Sequence, residues 1–183
     1  MSSLPDHRSP AASDDLVAQL AGLVPDGHVA ALRVFRADAT RYTQGSHDAL
    51  FSSEVTDLTL RERLFVAWHA ARLSRADQSA QAYRARLLAL DAADSAATHA
   101  LLDAIAQHRE LPFETNADKR LAAILAHTEI LVLHPATSGQ AALSILQTAG
   151  LTTRAIVALA QLVAFITHQV RVVAALRALE AKA

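Results

Sequence analysis

The sequence predicts an all-α chain, and three observations carry that prediction. Alanine and leucine, both strong helix formers, are abundant, while glycine and proline number five each. Apolar residues recur at helical spacing in segment after segment, as in Ile156, Leu159, Val163 and Ile166. No segment sustains the apolar–polar alternation of a half-buried strand. The 183 residues suffice for one domain with a sizeable core, and a composition 52% apolar and 19% charged is globular. We expect a tail over residues 1–12 and a single helical domain over 13–183.

The elements follow from punctuation and caps. Ser13 is expected to cap a short helix with Asp14 and Asp15 in its first turn, ended by Gly22 and Pro25. A second helix is expected from Gly27 to Gln44, with Val29, Leu32, Val34 and Phe35 as its apolar face and Gly45 as its stop. A short piece comes next, near Ser46–Phe51. Thr59-Leu60-Arg61-Glu62 fits a capping box, which makes Glu62 a structural residue and starts a helix through Leu64, Phe65, Trp68 and Leu73. Further helices are expected from Ala76 to Leu90 and from Asp94 or Ser95, with Leu101, Leu102 and Ile105 on one face. Arg109 to Asn116 holds Pro112 and reads as a loop. Asn116 then caps a helix to His134, stopped by Pro135. Ser138–Ala149 is closed by Gly150. Thr152 or Thr153 opens the last helix, with a bend expected near Thr167.

Composition narrows function. Lysine plus arginine (17) nearly balances aspartate plus glutamate (18), the net charge is −1, and no basic stripe appears. That leaves no electrostatic case for nucleic acid. The absence of cysteine excludes disulfides, thiolate metal sites and a cysteine nucleophile. Residues 1–8 are polar and unlike a signal peptide. The longest apolar run, Ala155–Thr167, contains Gln161 and falls short of the roughly 20 residues of a membrane span. No membrane association and a cytoplasmic location are therefore expected.

One echo runs through the chain. Leu58-Thr59-Leu60-Arg61 and Leu151-Thr152-Thr153-Arg154, 93 residues apart, each precede an apolar helix. Two unrelated caps and a duplicated helical hairpin are both open readings.

Leu58-Thr59-Leu60-Arg61-Glu62-Arg63, the apolar helix it opens and the polar helix through Tyr83 resemble the core hairpin of the AhpD-like and carboxymuconolactone decarboxylase superfamily. Gly150-Leu151-Thr152, Ala155–Leu159 and Phe165–Arg171 look like the second hairpin of its peroxidase-related branch. The resemblance covers about residues 28–180. It implies an AhpD-like helical bundle and homo-oligomers, whether dimers, trimers or hexamers. In the peroxidase branch it also implies two cysteines, a histidine and a glutamate as the chemical groups. Placed without gaps, the cysteine positions fall on Ala76 and Ser79, the histidine on Tyr83 and the glutamate on Leu64. A serine hydroxyl has no redox couple, so thiol peroxidase chemistry is expected to be lost. In the decarboxylase branch the histidine also falls on Tyr83, a proton donor but a poor base near neutral pH.

A polar patch of His69, Tyr83, His168 and Arg171 is the candidate ligand pocket, with Arg171 clamping a carboxylate. The same residues equally suit an interface network. Trp68, Phe65 and Phe35 read as core or interface aromatics. The apolar last helix favours self-association. His127 and His134 lie seven apart, too far for a chelating pair, and His99 and His108 are scattered, so no metal or other cofactor is expected. The expected function is a non-redox structural or ligand-binding protein, with a cysteine-bearing homologue as a candidate partner. The rival is a non-thiol enzyme of the decarboxylase type acting on a small carboxylated lactone.

Overall fold

The structure, a computed structural model, describes residues 15–107 and 115–182. Among these residues the chain is all-helical, with nine α-helices and no strand: α1 Leu16–Ala21, α2 His28–Phe35, α3 Ala37–Leu50, α4 Leu60–Leu73, α5 Asp77–Leu90, α6 Ser95–Ala106, α7 Asn116–Leu133, α8 Gln140–Thr148 and α9 Thr153–Glu180. The expected tail over 1–12, the Ser13 cap, Pro112 and His108 fall outside the described residues. Among the described residues two compact units emerge, one of residues 50–107 with 115–170 and one of residues 15–49 with 171–182.

In the larger unit α4 is the central helix and packs against α5 and α7. It starts where the sequence places it: Thr59 Oγ1 accepts from the Glu62 backbone N–H, and the Glu62 carboxylate accepts from the Thr59 N–H at 2.7 Å. Every residue from Arg63 to Ala71 is buried, because α4 meets neighbours on several sides. Arg63 is the charged member of that run. Its guanidinium donates to the carbonyls of Leu50 (2.6 Å), Ser52 (2.9 Å) and Val55, so it ties down the chain from the end of α3 through Val55. Burial pulls its pKa down, and four carbonyl contacts, counting Thr59, compensate the charge.

Two long helices complete this core. α7 begins at a second capping box, Thr115 with Asp118, so the expected Asn116 cap moves back one residue. The chemistry is the same as at Thr59: a threonine hydroxyl and a carboxylate three residues on satisfy each other's backbone N–H. α9 buries Ala155, Leu159, Leu162, Val163, Ile166 and Val170, a spacing of three and four that places them on one face. It stays helical through Thr167, where the sequence predicts a bend. α9 is also long and apolar enough to cross a membrane by length and composition, contrary to the uninterrupted-run estimate. Counting an unbroken run misses it, because Gln161, His168 and Gln169 punctuate a helix whose apolar residues continue beyond Thr167. Its one-sided burial is also the pattern of a core helix.

The smaller unit departs most from expectation. Asp15 is the N-cap of α1, accepting from the Ala18 N–H at 3.1 Å, rather than a first-turn residue. The single helix expected from Gly27 to Gln44 is two, broken at Arg36. Gly45 stops nothing and lies inside α3. The Gln44 amide bridges Leu16 N–H and Asp48 there, and a Cβ at Gly45 would meet open space. Of the expected apolar face only Val29 is buried, while Val34 and Phe35 are 73% and 86% exposed. All four residues of that face lie within α2, where Val34, five residues after Val29, falls about 140° round the helix from it.

Candidate functional site

Leu64, Ala76, Ser79 and Tyr83 all lie on the α4–α5 hairpin. The hairpin turn is a Schellman motif: Arg75 N–H donates to Arg72 O and Ala76 N–H to Ala71 O, with Arg75 in the left-handed region at φ 56°. This sends α5 back along α4. Ser79 and Tyr83, four residues apart, share the inward face of α5. Leu64 is buried on α4 and Ala76 packs partly buried against the same core.

Tyr83 is fully buried. Its hydroxyl donates to Gln169 Oε1 on α9 at 2.6 Å, and its ring stacks on Phe51 with centroids 5.7 Å apart. The Arg86 guanidinium covers the outer side, 4.7 Å from the Phe51 centroid. Burial pushes the Tyr83 phenol far above its usual range, and the nearby Arg86 charge offsets this only in part. Tyr83 is therefore a neutral hydrogen-bond donor held in one position.

The core of the larger unit also holds polar atoms without partners. Ser79 Oγ, Gln169 Nε2 and His127 Nδ1 are buried and make no hydrogen bond. Each costs about 1–3 kcal/mol as an unmade bond. Burial also pulls the His127 pKa down, so its ring is neutral at ordinary pH. On α4, Arg72 has Nε and Nη2 buried without an acceptor, and its guanidinium lies 5.8 Å from the Trp68 centroid.

Of the four expected pocket residues, His69, Tyr83 and His168 belong to the larger unit and Arg171 to the smaller. His69 is buried beside Trp68, with ring centroids 5.9 Å apart, and Tyr83 is sealed in the core. His168 and Arg171 are exposed on α9. Gln169 and Val170, between them, face inward, and at 100° per residue their outer neighbours swing away from the core. Sequence reasoning therefore overlooks Gln169, which reaches Tyr83, and Arg72, a cation with buried unpaired N–H groups. The spacing Ile166, Gln169, Val173 carries a signal for the first. Nothing local marks the second.

Glu62 has a wider role than its cap. Arg120 Nε donates to Glu62 Oε1 at 2.6 Å, while Nη2 reaches Asp57 O at 2.9 Å and Nη1 reaches Gly150 O at 2.8 Å. Among the other histidines, His99 contacts Arg84 at 2.8 Å, and His134 lies exposed just beyond α7. Among the described residues no three histidine, aspartate or glutamate side chains converge as metal ligands. Comparison with protein-family models, with curated proteins and with solved structures returns no match to this chain.

Proposed function

We propose that this chain is a non-redox, AhpD-like helical protein in which the α4–α5 hairpin serves as scaffold and the family's chemical positions are packing positions. The supporting observation is Tyr83. At the position of the family's histidine it is fully buried, bonded to Gln169 and kept neutral by its surroundings. A group so held moves no proton at neutral pH. Leu64 and Ser79 beside it are closed off from solvent, and neither alcohol nor alkyl side chains reduce a peroxide. In this reading the protein acts by binding, in the cytoplasm, as a homo-oligomer or with a cysteine-bearing homologue. The test is a peroxidase assay of the purified chain with an organic hydroperoxide and a dithiol donor. The expected rate equals the uncatalysed rate. Turnover that drops on Tyr83→Phe would overturn the proposal.

A second reading, a decarboxylase-type enzyme for a small carboxylated lactone, is favoured by Arg72, whose unpaired N–H groups suit a carboxylate. It is the weaker reading, because its one family-aligned proton donor is the sealed Tyr83 phenol. It requires carboxylated lactones to raise the melting temperature of the wild-type chain and leave Arg72→Met unchanged.

A further inference from the structure

The smaller unit contains a groove of about 540 Å³ between α1, the turn after it, α2 and the start of α3. We propose that this groove binds a small, neutral, apolar molecule carrying a single hydrogen-bond acceptor. The hollow exists because its walls are built from short side chains: Ala18, Ala30, Ala31 and Ala37 stop at Cβ, and Gly22 has none. Its volume falls in the range of roughly 300–1,000 Å³ typical of small-ligand sites. Its rim is fixed. Gly22, at φ 65°, turns the chain out of α1, and the Val24 N–H is held by Glu180 Oε1 at 2.9 Å.

The acceptor requirement comes from Arg33. Asp15 grips this guanidinium through Nε at 2.6 Å and Nη2 at 2.8 Å, and Asp15 is itself fixed by capping α1. Nη1 has no acceptor among the described residues, and Arg33 lines the groove. The site thus offers the outer N–H groups of one fixed guanidinium in mainly apolar surroundings, with Gln19, Asp26 and Thr40 as the other polar side chains on its walls besides Asp15. The Asp15 carboxylate has already neutralised its charge, so an ester, amide or ketone oxygen suits it better than a second carboxylate, which would face Asp15. The site lies on residues outside the α4–α5 hairpin and stands independently of the family reading.

The probe is N-phenyl-1-naphthylamine, titrated into the full chain and followed by fluorescence. A saturable, one-to-one enhancement is expected, displaced by methyl decanoate more effectively than by decanoate near neutral pH. Ala31 and Val34 are exposed and line the groove, so their substitution leaves the fold intact. Ala31→Phe fills the hollow and Val34→Lys charges its mouth. Each is expected to weaken probe binding about tenfold or more with unchanged melting temperature and helical circular dichroism. Non-saturable binding, or two variants that bind like wild type, overturns the site. Equal displacement by decanoate overturns the neutral-ligand assignment. A halved solution mass in Ala31→Phe identifies the occupant as a second copy of the chain and overturns the small-molecule assignment.

Discussion

The Leu-Thr-x-Arg turns at Leu58 and Leu151 begin alike and end differently. Both leucines are buried, and both threonines cap their helices, Thr59 through Glu62 N–H and Thr152 through Ala155 N–H at 3.0 Å. Arg120 treats them as a pair, donating to Asp57 O and Gly150 O, the residue before each leucine. Farther along, corresponding hydroxyls bond back to their own helices: Ser74 to Ala70 O and Thr167 to Ala164 O. At that point α4 stops and α9 continues. The difference lies in the next few side chains. After Ser74 come Arg75, Ala76 and Asp77, and an acidic residue suits the first turn of a new helix. After Thr167 the chain offers Gln169, Val170 and Val173, whose burial continues the inward stripe of α9. A back-bonding hydroxyl does not decide a helix end; the burial of its successors does.

If the two turns act as one clamp, Arg120→Met gives the largest effect. It strips Glu62 Oε1 of its ion-pair partner, leaving only the Thr59 cap, and leaves two carbonyls without their guanidinium donors, at a cost of about 2–4 kcal/mol. Urea unfolding reads the loss. Amide exchange should rise at both turns, near Glu62 and near Ala155. Faster exchange at one turn alone would separate them and end the paired reading.

The place where α9 meets the first hairpin gives the next effect. Tyr83→Phe leaves Gln169 with no bonded atom and is expected to cost about 1–2 kcal/mol. Gln169→Leu strands the phenol instead and costs a similar amount. The double variant replaces both partners with apolar groups and should be more stable than either single variant predicts by addition. Strictly additive losses in the denaturation cycle would mean the 2.6 Å bond contributes nothing.

Much of this architecture is legible in the chain itself. Thr59 with Glu62, Gly22, Pro135 and Gly150 announce their boundaries because caps and stops are local chemistry. The all-helical class comes from periodicity. The break at Arg36 is hidden, since no proline or glycine marks it and Gly45 draws attention to the wrong place. Arg75 is hidden for the same reason: a left-handed arginine carries no sequence flag. The candidate site is legible as a hairpin but not as a set of side chains. Which residues of α9 face Tyr83 depends on the rotation of that helix, and one position separates buried Gln169 from exposed His168.

α7, which packs against α4, carries the buried His127, and that residue predicts a pH effect. Its folded pKa is depressed below the ordinary 6.5 by burial, so the unfolded chain binds the proton first as pH falls. Stability is complete above pH 6.5 and declines from there down through the depressed folded value. One such group contributes a slope of at most about 1.4 kcal/mol per pH unit. His127→Leu should flatten the decline measured by thermal melts between neutral and mildly acidic pH. An unchanged slope would assign it to other groups.

The smallest effect tests the two Schellman turns directly. Gly150, at φ 85°, closes α8 with Leu151 N–H on Leu146 O, as Arg75, at φ 56°, closes α4 with Ala76 N–H on Ala71 O. The backbone geometry is shared, and only one site has the residue that adopts it freely. Arg75→Gly removes the left-handed penalty of about 1–2 kcal/mol but returns chain entropy to the unfolded state, for a net gain of about 0.5–1 kcal/mol. Gly150→Ala meets no neighbour closer than Arg120 Nη1 at 4.0 Å, so its expected loss of about 1 kcal/mol is backbone strain alone. Opposite shifts in melting temperature from the two variants would establish that the turns share one energetic rule. A destabilised Arg75→Gly would mean that the arginine side chain contributes more to the hairpin than its backbone strain removes.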